Sequence, residues 1–194
     1  MTDQNNISPI DRCSKEKLLH QKAKVIWFTG LPCSGKTTLA LHFEKALFNN
    51  QKATLVIDGD IVRNGLNKDL NFSVNSRSEN IRRIAEVSKL LLNNGIIVIV
   101  SLVSPLTELR EMAKEIIGAS DFIEIYVNAP IEVCEKRDVK GMYKKARLGE
   151  IKDFTGIQSA YEKPQHPFLE ILTADDSIDD SLEILVQKIL PILQ

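Results

Sequence analysis

The chain has 194 residues, 43% of them apolar, which suits one domain with a sizeable core. Its 25 Lys and Arg nearly cancel its 26 Asp and Glu, so there is no global field for nucleic acid or an anionic membrane, and any anion-binding charge must be local. The longest apolar run, Ile96–Val100, is too short to cross a bilayer, residues 1–24 lack the apolar stretch of a signal peptide, and Cys13, Cys33 and Cys134 show no metal-ligand spacing; together these predict a cytoplasmic protein with reduced thiols.

Residues 1–24 read as a polar N-terminal extension, mobile beside a single domain over 25–194. The domain opens on Val25–Thr29, a buried strand, which runs into "GLPCSGKTTLAL". Gly30, Gly35, Lys36 and Thr37 fit G-x-x-x-x-G-K-[ST], whose glycines let the backbone curl so that successive N–H groups face anionic oxygens. A helix beginning at Lys36 adds its positive dipole end, and Leu39, Phe43, Ala46 and Leu47 form its buried stripe. The ligand predicted for Gly30, Leu31, Pro32, Cys33, Ser34, Gly35, Lys36, Thr37 and Thr38 is ATP or GTP with Mg²⁺, Lys36 reaching the β- and γ-phosphates and the Thr37 hydroxyl ligating the metal. Cys33, near a helix N-terminus and Lys36, reads either as an inert spacer whose N–H alone matters, the favoured reading, or as a thiol of depressed pKa whose alkylation blocks ATP binding.

Further strands are expected at Thr54–Asp58, Ile96–Val103, Phe122–Val127 and Leu169–Leu172, with helices beginning near Glu79, Thr107, Ile131 and Ser177. Apolar strands alternating with amphipathic helices predict a doubly wound α/β domain: a mostly parallel five-stranded sheet with helices on both faces and the ligand beyond the carboxyl ends of the strands. At those ends, Asp58 and Asp60 either hold magnesium and receive a proton from an attacking hydroxyl or form an Asx-type turn with Asp60 capping a helix, while Arg63 suits a second anion. Arg77 and Asn80 fall at the next helix entry, and Phe72 before them is placed to stack on a base. Pro105 takes the chain out of strand geometry and leaves Ser104 as a phosphate ligand or a helix cap, composition favouring the cap. Between Lys136 and Lys152, seven basic residues stand against two acidic ones, punctuated by Gly141 and Gly149, which reads as a cationic lid over about 136–156.

Taken in order, "GLPCSGKTT", "DGDIVRNGLNKDLNFS", "RSENIRRIAEV", "VSLVSP", "KGMYKKAR" and "DFTGI" resemble adenylylsulfate kinase over Val25–Pro167. The resemblance implies a P-loop kinase fold and transfer of the ATP γ-phosphate, with Mg²⁺, to the 3′-hydroxyl of adenosine 5′-phosphosulfate (APS), giving PAPS for sulfate assimilation. It implies catalytic roles for Lys36, Asp58, Asp60 and Ser104, the last matching a serine described as a phosphorylated intermediate, and metal binding by Thr37 and Asp60. It implies an acceptor site made of Asp60, Arg63, Phe72, Arg77, Asn80, Val103, Ser104, Lys140, Phe154, Thr155 and Gly156, Phe154 stacking on the adenine, and it implies a homodimer. Pro32, Cys33, Val139 and His166 depart from the family's usual residues. Two alternatives stay open: a paralogous kinase whose acceptor is a cytidine diphosphate compound, and a nucleotide-binding regulatory module without turnover.

Overall fold

The computed structural model describes residues 8–194; residues 1–7 of the polar extension lie outside the described residues. Helix α1 (Arg12–Leu18) leads into β1 (Val25–Thr29), α2 (Lys36–Asn49), β2 (Thr54–Asp58), the short α3 (Gly59–Arg63) and the long α4 (Val74–Leu92). There follow β3 (Ile97–Ser101), α5 (Thr107–Ile117), β4 (Phe122–Asn128), α6 (Ile131–Arg137), α7 (Met142–Arg147), β5 (Leu169–Leu172) and α8 (Ile178–Ile189). The strands form one sheet in the order β2-β3-β1-β4-β5, every pairing parallel, as the apolar strands predict.

Alternation along the strands divides the core. Ile26 and Phe28 of β1 pack with Phe43, Leu47, Leu185 and Ile189 beneath α2 and α8, whereas Val25 and Trp27 pack with Ile81, Ile84, Leu109 and Ala113 beneath α4 and α5. Burial on both faces leaves the rim beyond the strands' carboxyl ends as the place where polar groups gather.

Three elements differ from the sequence expectation. Strand β3 ends at Ser101 rather than Val103; its neighbour β2 ends opposite it at Asp58, and β1 ends one residue past Phe28, which also stands opposite Ser101. Helix α4 begins at Val74 rather than near Glu79; Ser73 is its cap, its hydroxyl accepting from the Ser76 N–H at 3.3 Å, so Arg77 lies within the first turns instead of before them. Residues 8–24, expected to be mobile, lie along the opposite rim. Asp11 caps α1, Arg12 donates to Asp121 at 2.6 Å and to Ala23 O at 2.7 Å, and the buried Gln21 amide bonds Gly95 O and both backbone groups of Ala53. Each of these anchors precedes a strand, so the segment stitches the strand entrances together. The Ser177 start of α8 is a full capping box with Asp180.

Candidate active site

The loop between β1 and α2 has the expected form. Gly30 is needed by close approach: a Cβ there would stand 2.3 Å from Val127 O and 2.8 Å from Ser34 Oγ. Gly35, with φ +99°, turns the chain into α2. Lys36 is 7% exposed and its ammonium folds back onto its own loop, donating to Leu31 O at 2.6 Å. Burial lowers its pKa to about 8. Thr37 and Thr38, at the first turn of α2, remain exposed. Cys33 follows the inert-spacer reading and not that of an activated thiol: burial pushes its thiol up, outweighing Lys36 and Lys140, so it is a poor nucleophile at neutral pH.

The two aspartates after β2 part company. Asp58 is buried and caps α3, accepting from the Asp60 N–H at 2.9 Å, while its other oxygen accepts from Thr37 Oγ1 at 2.7 Å. Thr37 Oγ1 also meets Ser101 Oγ at 3.2 Å. Asp60 is not a cap, contrary to one sequence reading; it is exposed and its carboxylate is ion-paired with Lys140 of the lid. Thus Asp58, not Asp60, stands beside Thr37. Among the described residues, no cluster of three or more His, Cys, Asp or Glu could hold a metal by itself.

Across the cleft, α3, α4 and the lid bring most of the remaining expected residues together. Arg63 lies over the Phe72 ring, 4.5 Å from its centroid, and donates to Asn71 O at 3.0 Å. Arg77 donates to Thr155 Oγ1 at 2.8 Å and to Asp153 O at 2.5 Å, tying α4 to the lid. Gly156 has φ +92°, and a Cβ there would press to 3.0 Å on Leu31 Cδ2, so the lid loop rests on the glycine-rich loop. Phe154 is buried edge-on against Tyr143, centroids 4.9 Å apart, so of the two expected aromatic platforms only Phe72 lies open. Tyr143 in turn donates to Pro32 O at 3.0 Å. Asn80 is buried one turn beyond Arg77.

Ser104 is set apart from this group. It does not cap α5, whose N-cap is Leu106 with no side-chain bond. It is 3% exposed, its Oγ accepts from the Trp27 indole at 3.1 Å, and its backbone sits at φ +36°. Arg110 bonds Ser104 O at 2.9 Å, and Thr29 Oγ1 bonds Val103 O at 2.8 Å, so this corner is held by polar contacts beneath the rim.

One residue counted among the lid's cations was not singled out in the sequence. Arg137 reaches Thr173 O, and Thr173 Oγ1 donates to Ser34 O at 2.7 Å, placing a guanidinium beside Gly35. The count of basic residues from Lys136 to Lys152 carried no sign of which would turn inward, because that depends on β5 delivering Thr173.

A parallel sheet with a glycine-rich loop, a buried lysine and a cationic lid defines a P-loop phosphotransferase. The family model for adenylylsulphate kinase matches residues 22–172, and the chain belongs to that family. An adenylyl-sulfate kinase of Bacteroides fragilis is 49% identical over 98% of this chain and 97% of its own length. One from Clostridium acetobutylicum is 51% identical over 92% of this chain and 90% of its own. A solved structure of the Mycobacterium tuberculosis APS kinase in complex with AMPPNP and APS is similar with a TM-score of 0.84 and 42% identity, covering 87% of this chain and 98% of that one. Among the described residues no helix is long and apolar enough to cross a membrane.

Proposed function

We propose that this chain transfers the γ-phosphate of ATP to the 3′-hydroxyl of APS, giving PAPS for sulfate assimilation. The observation that carries the reading is the second set of cationic and aromatic groups, Arg63, Phe72, Arg77 and Lys140, which the Lys140–Asp60 pair, the Asp60–Asp58–Thr37 bonds and the lid's Tyr143–Pro32 bond bring beside the phosphate loop. A phosphosulfate on a nucleotide needs several donors and a platform for its base.

ATP enters along the loop Gly30–Thr38, and Lys36 leaves Leu31 O for the phosphate oxygens. Thr37 Oγ1, Asp58 Oδ2 and Ser101 Oγ form an oxygen-only donor set that fits Mg²⁺, an ion that leans on phosphates and water rather than on an all-protein cage. When bound there with ATP, Mg²⁺ supplies charge neutralisation to the transferring group. Asp60 orients the acceptor hydroxyl and takes its proton once Lys140 swings from the carboxylate to the phosphosulfate. Arg63 and Arg77 hold the acceptor's anionic groups, and the lid excludes water. Ser104 positions the β3 exit; its burial under Trp27 leaves no room for it as a covalent carrier. The protein works as a homodimer in the cytoplasm, where Cys13, Cys33 and Cys134 stay reduced; light scattering tests the dimer.

A coupled assay offering ATP with APS, and separately with cytidine diphosphate compounds, tests the acceptor. Turnover with APS is expected. Turnover only with the cytidine compounds, or ATP binding with no turnover, would overturn the reading.

A further inference from the structure

The loop between α3 and α4 holds a polar residue that no role above uses. Asn67 is wholly buried, yet its Oδ1 has no hydrogen-bond partner. A sealed, unpartnered carbonyl calls for an explanation in a folded protein. The other end of the same amide is engaged: Asn67 Nδ2 donates to Asn80 Oδ1 at 3.0 Å. Asn67 itself is fixed by its backbone, its N–H donating to Val62 O at 2.8 Å and its carbonyl accepting from the Leu70 N–H at 3.1 Å. The same loop provides Asn71 O, which holds Arg63.

The polarity of this pair follows from chemistry. Two facing amides can share one hydrogen bond in either sense, and in either sense Asn67 keeps one sealed atom without a partner. An orphaned carbonyl costs less than an orphaned N–H, so the pair settles with Asn67 as donor. Asn80 is then committed: its carbonyl is occupied by Asn67, and its NH₂ is the free end. That Nδ2 makes no hydrogen bond among the described residues, and unlike Asn67 Oδ1 it is not sealed from solvent. Asn80 follows Arg77 by three positions on α4, on the same side of the helix.

We propose that Asn67 is a positioning residue that locks Asn80 as a hydrogen-bond donor to the acceptor nucleotide, reading an unprotonated oxygen or ring nitrogen there. The inference deepens the acceptor reading above and rests on it. Asn67 touches no reacting atom; it acts through Asn80. An unpartnered buried carbonyl is the stability cost of that fixed polarity.

The test is kinetic, on the full chain with ATP and APS. Asn67→Leu keeps the size and removes both the donor and the orphaned carbonyl. It is expected to raise the KM for APS about tenfold, the worth of one hydrogen bond to an anionic ligand, with the KM for ATP and kcat within about twofold of wild type and no loss in melting temperature. Asn67→Asp can only accept, so Asn80 must turn its carbonyl to the substrate, and the KM for APS rises further than with leucine. In an Asn80→Ala background, either change is expected to add nothing, since the partner through which it acts is gone. An unaltered KM for APS in both variants, or losses that add to those of Asn80→Ala, overturns the inference; if the leucine variant does not fold, the aspartate variant and its cycle decide. Wild type failing to phosphorylate APS overturns the acceptor reading itself, a result distinct from a normal wild type with silent variants.

Discussion

Lys36 carries a burial cost that can be measured. Its pKa falls from an ordinary 10.5 to about 8 because the ammonium is sealed beneath the loop, where its hydrogen-bond partners are the neutral oxygens Leu31 O at 2.6 Å and Ser34 Oγ at 3.5 Å. Between those two values the unfolded chain binds more protons than the folded one, so this group makes stability rise with pH across the window, and below it the cost stays level at its full value. The shift corresponds to about 3 kcal/mol of destabilisation at neutral pH. Lys36→Met, which fills the same space with an unbranched apolar chain, is expected to remove that cost while abolishing turnover. At roughly 2–4 °C per kcal/mol for a chain this size, the variant melts about 6–12 °C above wild type near pH 7 without nucleotide. Thermal melts of both proteins from pH 7 to pH 10.5 should show the gap closing as wild type gains stability, and saturating ATP should stabilise wild type far more than the variant. A variant that melts no higher than wild type, or a gap that does not change with pH, refutes the reasoning.

Gly30→Ala puts a Cβ 2.3 Å from Val127 O, and the resulting displacement of the loop should lower kcat/KM about a hundredfold, checked by steady-state kinetics. Lys140→Ala breaks an exposed ion pair with Asp60, so chemical denaturation should find stability changed by less than about 1 kcal/mol while kcat/KM drops about a hundredfold. Arg12→Ala removes the bonds to Asp121 and Ala23 O at the far rim and should cost about 1–2 kcal/mol by the same method, with kinetic constants unchanged. Alkylation of Cys33, followed by mass mapping, should be slow at pH 7 and accelerate only above the ordinary thiol range, because burial holds the thiol protonated.

Sequence pattern sufficed where one periodic or motif signal decided the outcome. Every strand was found, since runs such as Ile97–Ser101 are buried on both faces, and the glycine loop was found because its chemistry is written in adjacent residues. It fell short where structure depends on partners distant in the chain. Helix α1 is polar all round and is tied through Arg12 to Asp121, 109 residues on, while the segment after it is tied through Gln21 to Ala53, 32 residues on. The two readings of Cys33 could not be separated for the same reason: the helix end and Lys36 are local, but the burial that prevails comes from the lid folding over Leu31 and Cys33. Asn67 gave no signal at all, because a buried amide and a loop asparagine are written with the same letter.

The arginines, taken with the lysine of the glycine loop, fall into two kinds by the partners they keep, and the division marks the cleft independently of any motif. Arg12, Arg82, Arg83, Arg110 and Arg147 are each paired with a carboxylate, the arrangement that neutralises a charge permanently. Lys36, Arg63, Arg77 and Arg137 instead rest on carbonyl and hydroxyl oxygens of Leu31, Asn71, Thr155, Asp153 and Thr173. A neutral oxygen satisfies the geometry of a cation without cancelling its charge, so a phosphate or sulfate displaces it at small cost and gains the stronger charge-assisted bond. These four lie at the glycine loop or where α3, α4 and the lid meet it, whereas Arg82, Arg83 and Arg147 lie on helix surfaces, Arg147 on the lid's own α7, Arg110 is buried behind Ser104, and Arg12 is at the opposite rim. Lys140 is the exception, held by Asp60, and that exception follows from the proposed chemistry: the carboxylate that must receive a proton is masked by the lid's own ammonium until an acceptor with a stronger anion draws the lysine away.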